Sequence, residues 1–69
     1  MDNKEYLKAM GERVRQLRRE KGFNTETLRI ACKLSRSAIS DIENGKKNSY
    51  LLTLKNIADK IGVDVKDFL

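Results

Sequence analysis

Histidine and proline are both missing from this 69-residue chain, and cysteine occurs once, at Cys32. Without histidine the chain lacks the commonest general base and the commonest zinc ligand together. A lone cysteine cannot close an internal disulfide, and neither a Cys/His metal site nor a nucleophile–base pair can be assembled around it. That thiol reads as a small core residue, the usual place of a free cysteine, and not as a redox sensor. It also fits a reducing cytosol. No apolar run approaches the ~20 residues that a bilayer span needs. The first ten residues, MDNKEYLKAM, hold no apolar stretch of the signal-peptide kind. No paired-carboxylate constellation is visible either. The expectation is a cytoplasmic protein with no membrane association, no metal, no cofactor, no evident small-molecule ligand and no enzymatic activity. The missing proline means that each element must stop at a glycine or a cap.

What the chain does have is positive charge and helical periodicity. Its formal net charge is +5, with a pI near 9.6. Arg13, Arg15, Arg18, Arg19 and Lys21 crowd one segment, and Lys46 and Lys47 follow Gly45. The first cluster reads as a solvated helix face as readily as a partner surface. Nucleic acid is the partner that best explains the second.

Leu7, Met10, Val14 and Leu17 recur at steps of three and four, which predicts an amphipathic helix over residues 5–21, ended by Gly22. Residues 1–4 are expected to fray. Asn24 is a good N-cap for a second helix over 25–32, with Glu26 favourable in its first turn. Lys33 and Leu34 make a turn, and Ser35 caps a third helix over 36–43. Gly45 stops that helix, and KKNSY is a loop. Ser49 can cap a fourth helix with inward positions Leu51, Leu54, Ile57, Ala58 and Ile61, closed by Gly62. Asp64 caps a last short helix, VKDFL. The pattern is all-α: five helices in one domain over residues 1–69, with no strand signal. A chain of this length buries only ~60 % of its unfolded surface, so its core is small.

Residues 24–45, NTETLRIACKLSRSAISDIENG, carry the most information. They read as two short helices joined by a tight turn. On the second of them Ile39 and Ile42 face inward, while Arg36, Ser37, Ser40 and Asp41 lie opposite. Residues four apart share a helix face, so Arg36 pairs with Ser40 and Ser37 with Asp41. Such a helix can pack on a small core and present donors and acceptors to base edges in a major groove. Arg36 can grip guanine O6 and N7 with two parallel bonds. Asp41 can either accept from cytosine N4 or repel phosphates and hold a nearby cation.

These residues resemble the Cro/C1-type helix-turn-helix regulators, the xenobiotic-response-element family. The matching elements are GERVRQLR at 11–18, KGF at 21–23, Leu28 and Ala31, SRSAIS at 35–40, IENGK at 42–46, and LxxIAxxIGV at 54–63. The resemblance covers residues 11–69 and extends to small phage repressors and to restriction-modification controller proteins. It implies a compact, five-helix, lambda-repressor-like DNA-binding domain, usually dimeric, with its helix-turn-helix motif at about 25–44. Position by position it assigns base contacts to Arg36, Ser37, Ser40 and Asp41. Backbone contacts fall to Asn24, Thr25, Lys46, Lys47 and Asn48, and a structural ion pair to Arg18 and Glu43. The chain departs from the family at three places. Arg29 stands where a small alanine is usual, so it must snorkel outward or the two motif helices must shift. Lys33 replaces the usual turn glycine. Ser49 and Tyr50 replace a common Pro-Ser.

The function implied is a sequence-specific regulator of transcription that binds double-stranded DNA, a homodimeric repressor on a palindromic operator. Leftover apolar residues Leu52, Val65, Phe68 and Leu69 are the expected dimer surface. Two other readings stay open: an antitoxin or controller partner of a two-gene system, and a protein-interaction module that keeps the fold but has lost DNA binding.

Overall fold

The computed structural model describes residues 3–46 and 51–69. Among them are four α-helices, α1 (Asn3–Glu20), α2 (Thr25–Cys32), α3 (Arg36–Glu43) and α4 (Leu51–Ile61), and a closing 3-10 turn over Val65–Phe68. No strand occurs among the described residues. Helix α1 starts at Asn3, earlier than its apolar spacing predicts; Glu5 in its first turn complements the helix dipole.

The helices stop by one shared device. After α1, Phe23 N–H donates to Arg18 O and Gly22 N–H to Arg19 O, each at 3.0 Å. After α3, Lys46 N–H donates to Asp41 O at 2.9 Å and Gly45 N–H to Ile42 O at 3.2 Å. These paired bonds satisfy orphan carbonyls and need one residue in a left-handed conformation. Gly22 and Gly45 supply it without strain. After α2 the same position is Lys33, at φ 57°, with Leu34 N–H donating to Arg29 O at 2.9 Å. A β-carbon there costs about 1 kcal/mol.

The fifth helix that the sequence predicts is a single 3-10 turn. Asp64 accepts from Lys66 N–H at 3.0 Å, and Asp67 reaches back to Asp64 N–H at 3.2 Å. Asp67 N–H then donates to Asp64 O and Leu69 N–H to Lys66 O, both spanning three residues. A four-residue piece cannot build the longer-range α ladder, and 3-10 bonding is the usual form of such short pieces. Arg13 Nε fixes the turn to α1 by donating to Asp67 O at 3.1 Å.

This turn delivers Phe68 to the core. Phe68 is 1 % exposed and packs with Val14, Leu28, Ile39 and Ile57 in the most buried layer. Its expected place in a dimer surface is therefore wrong. The turn packs on both α1 and α4, and a chain this short closes its core with its last aromatic ring. Val65 is half-buried against the same core. Leu51 corrects a second expectation: it is 60 % exposed, and the inward face of α4 is Leu54, Ile57, Ala58 and Ile61. Cys32 lies buried in the core, as expected for a free cysteine, and burial pushes its thiol pKa up. Asn56 Nδ2 donates to Cys32 O at 3.0 Å and ties α4 to the end of α2.

Two features fix α3 against α1. Gly11 is buried where the helices cross. A β-carbon there would lie 2.6 Å from Glu43 O and closer still to Ile42 O, so only glycine permits this approach. Beside it, Arg18 Nε donates to Glu43 Oε2 at 2.7 Å and Nη2 to Oε1 at 3.2 Å. Arg18 Nη1 also donates to Phe23 O at 2.8 Å. Both side chains of this pair are under 10 % exposed.

Candidate nucleic-acid interface

Helix α3 is amphipathic in the way its sequence requires. Ser35, extended at ψ 159°, accepts from Ala38 N–H at 3.0 Å and caps the helix. Ile39, Ile42 and Glu43 are buried, while Arg36, Ser37 and Ser40 are exposed and Asp41 is half-buried. The inward residues hold the helix to α1 and α2. The outward ones form a polar strip along one side of it.

Helix α2 meets that strip at its N-terminal end. Asn24 accepts from Thr27 N–H at 2.8 Å, and Asn24 N–H donates to Thr27 Oγ1 at 3.1 Å, a reciprocal capping box. A capped helix start of this kind is a general site for a phosphate. Thr25 is the next residue. It lines an open cleft of about 380 Å³ with Arg15, Arg36, Ile39, Ser40, Glu43 and Asn44. The structure therefore brings Thr25, Arg36 and Ser40 together from two helices.

Ser40 is also connected inward. Asn44 Nδ2 donates to Ser40 Oγ at 3.2 Å, and Arg15 Nη2 donates to Asn44 Oδ1 at 2.8 Å. Arg15 Nε reaches Glu43 at 3.4 Å. Neither Arg15 nor Asn44 stands out as a site residue in the sequence. The four-residue spacing of Ser40 and Asn44 is a legible signal; the link to Arg15 needs the crossing of α1 and α3.

Lys46 lies apart from this cleft. It is exposed at the end of α3 and lines a second groove with Lys4, Glu5, Leu7, Lys8, Asn44 and Gly45. Sequence reasoning misses Lys4 and Lys8 because they precede the obvious basic cluster. Folding puts them beside Lys46. Within the arginine cluster of α1, Arg13, Arg15 and Arg18 are engaged with other parts of the fold, so much of that charge is structural. Lys47, Asn48, Ser49 and Tyr50 lie outside the described residues.

Arg29 takes the outward course. Its side chain is 36 % exposed and its guanidinium pairs with Glu26 on the same helix. Glu26 also accepts from Arg36 Nη2 at 2.5 Å. Hydrogen bonds from Arg29 and then Arg36 hold the Glu26 carboxyl below the ordinary carboxylate range. The helix pair keeps its packing with a large residue at this position.

Two comparisons decide the family. A profile described as a helix-turn-helix domain matches residues 9–67. The chain belongs to that family. It is 42 % identical over 60 residues to the control protein C.BamHI of Bacillus amyloliquefaciens, an alignment covering 86 % of this chain and 74 % of that protein. It is 38 % identical over 58 residues to the HTH-type transcriptional regulator DdrOP3 of Deinococcus deserti, covering 84 % of this chain but 45 % of the relative. Among solved structures, the restriction-modification controller protein C.AhdI of Aeromonas hydrophila superposes with a TM-score of 0.86 at 30 % identity, covering 91 % of this chain and 96 % of that one.

No helix among the described residues is long and apolar enough to cross a membrane. No group of histidine, cysteine, aspartate or glutamate among them is placed to hold a metal ion.

Proposed function

We infer that this chain is a DNA-binding transcriptional regulator, with its motif at residues 25–44. The observation that carries the reading is the division of α3. Ile39 and Ile42 are spent on the core, and Arg36, Ser37 and Ser40 stand outward beside the capped start of α2. In this reading α3 enters the major groove. Arg36 reads a guanine, Ser37, Ser40 and Asp41 contact neighbouring base edges, and Asn24, Thr25, Lys46, Lys47 and Asn48 hold phosphates. Regulation is by occupancy: the bound protein excludes or recruits polymerase at a promoter.

The protein acts as a homodimer. Tyr6, Leu51, Leu52 and Leu69 are all more than half exposed. Tyr6, Leu51 and Leu69 line one cleft of about 530 Å³. Exposed apolar clusters of this kind mark interfaces on small proteins. With Phe68 in the core and Val65, also expected at the dimer surface, half-buried against it, the surface for a second copy is Leu52 and Leu69, joined by Tyr6 and Leu51. A two-fold axis there would set the two α3 helices ~34–36 Å apart, in successive major grooves.

A second reading rests on two comparisons. The chain aligns with 74 % of the control protein C.BamHI and 96 % of the controller C.AhdI. Its regulatory role is then that of a small controller in a two-gene system, with the same DNA-binding mechanism.

Selection of bound sites from random duplex DNA tests both. A palindromic consensus is expected, and its affinity should fall by orders of magnitude between ~50 and ~200 mM salt. Absence of binding at low salt would favour the interaction-module alternative. Sedimentation of the parent and of a Leu52→Lys, Leu69→Lys variant tests the dimer. A parent that stays monomeric, and that binds a single half-site as tightly as a palindrome, overturns it.

A further inference from the structure

Glu26, in the first turn of α2, sits between two arginines, one on its own helix and one at the start of α3, and no base or phosphate contact accounts for it. Its Oε1 is engaged by Arg29, three residues on along α2, and its Oε2 by Arg36, the first residue of α3. We propose that Glu26 is a specificity-determining positioning residue: its carboxylate, braced on α2 by Arg29, aims the Arg36 guanidinium at one base pair. This rests on the DNA-binding reading above.

Without a partner, Arg36 would be mobile. Its side chain is 73 % exposed. A long arginine at the start of an exposed helix has many rotamers, and beside DNA most of them reach a phosphate. A phosphate contact would add affinity but no sequence information. Holding the side chain to one direction removes those alternatives before DNA arrives, which favours the interaction that needs one geometry. The hold uses only Nη2. A guanidinium has five N–H donors in a fixed fork, so a free pair remains for a guanine edge.

Arg29 makes an acidic positioner workable at this place. A carboxylate facing phosphates would repel them. With Arg29 and Arg36 both on it, the group of three carries a net charge of +1, and its attraction to the backbone survives. Arg29 also fixes the carboxylate from its own helix, so Arg36 is aimed by a braced oxygen. A small residue at position 29 would leave Glu26 held by Arg36 alone, and the two side chains would swing together.

The test measures binding of the whole chain to a duplex carrying the selected consensus and to its complete set of single-base-pair variants. The proteins are the parent, Glu26→Gln, Arg29→Ala, Arg36→Ala, and Glu26→Gln combined with Arg36→Ala. Glu26→Gln keeps the shape at an exposed position and removes the charge. Its discrimination at the single base pair flattened by Arg36→Ala is expected to fall about tenfold, equivalent to ~1.4 kcal/mol. Discrimination elsewhere should be unchanged. Arg29→Ala should weaken the same base pair, and Glu26→Gln should add nothing once Arg36 is gone. The proposal is overturned if Glu26→Gln retains the parent's preference at that base pair, sharpens it, or loses affinity evenly across the set. It is also overturned if the effect persists without Arg36. A parent with no sequence preference fails the DNA-binding reading itself; a parent and Arg36→Ala that behave as expected, beside an unaltered Glu26→Gln, fail this proposal alone.

Discussion

The molecule contains two arginine–glutamate groups at the two ends of α3, and they differ chiefly in exposure. At the far end Arg18 and Glu43 are 8 % and 6 % exposed and joined by two parallel bonds. At the near end Arg36 and Glu26 are 73 % and 40 % exposed and joined through a single nitrogen. Burial decides what each pair can be. The buried pair has no water to replace a lost partner, so breaking it strands a charge, and it serves as scaffold. The exposed pair exchanges partners at little cost, because screened surface pairs contribute only ~0–1 kcal/mol. An arginine that must keep donors free for a DNA base while a protein carboxylate holds it through one nitrogen has to be of the second kind.

The largest effect comes from breaking the buried pair. Glu43→Ala leaves Arg18 buried against Phe23 O alone and should destabilise the fold by ~3–5 kcal/mol. Domains carry ~0.05–0.15 kcal/mol per residue of total stability, so the variant is expected to be largely unfolded on warming. Urea or thermal denaturation followed by circular dichroism measures it. A thermal midpoint within a degree or two of the parent would remove the scaffold role. Glu26→Ala, the same change at the exposed pair, should leave the midpoint nearly unaltered.

The next effect is on DNA and separates the exposed pair from the plain lysines. Arg36→Ala should lose ~1–3 kcal/mol at one base pair while leaving the rest of the preference pattern in place. Lys46→Ala should weaken all sequences alike and lower the salt slope by about one unit. Competition between single-base variants at two salt concentrations reads both. Equal flattening by the two substitutions would erase the distinction between reading and holding.

The same contrast separates what is legible in the sequence from what is not. Short-range relations are legible. Asn24 and Ser35 cap their helices by accepting from the amide three residues on, and Ile39 and Ile42 face inward because of helical period. The Arg18–Glu43 pair is reachable only through family resemblance, since 25 residues separate its members. The Glu26–Arg36 bond is not reachable: it crosses a turn, and its geometry depends on the angle between two helices. The same holds for Lys4 and Lys8, which join Lys46 only when α1 lies across the end of α3. Phe68 and Leu51 are misplaced by sequence reasoning for a related reason. Periodicity says which residues share a face, but the closing 3-10 turn and the true start of the α4 contact decide which face is covered.

A smaller effect lies at the turn between the two motif helices. Lys33 holds φ 57°, and Lys33→Gly should raise stability by up to about 1 kcal/mol, less the added flexibility of glycine in the unfolded chain. A midpoint that falls would mean that the lysine side chain contributes more than its backbone strain costs.

The smallest effect is the titration of the exposed pair. The Glu26 carboxyl is held below its ordinary value of 4.5 by the hydrogen bonds of Arg29 and Arg36. For a group with a depressed folded pKa, the unfolded state takes up its proton first as pH falls. Its stabilisation is therefore complete above 4.5 and is lost as pH drops through the lower folded value. Glu26→Gln removes this titration and keeps the side-chain shape. The difference in thermal midpoint between parent and Glu26→Gln should be small and constant from neutral pH down to about the ordinary carboxylate value, and should shrink below it. Because the carboxylate is solvent-exposed, added salt should shrink the same difference at neutral pH. A difference that ignores both acid and salt would mean that Glu26 acts through packing and not through charge. The contrast with the buried pair would then lose its electrostatic basis, and Arg36 would have to be held in place by something other than a carboxylate.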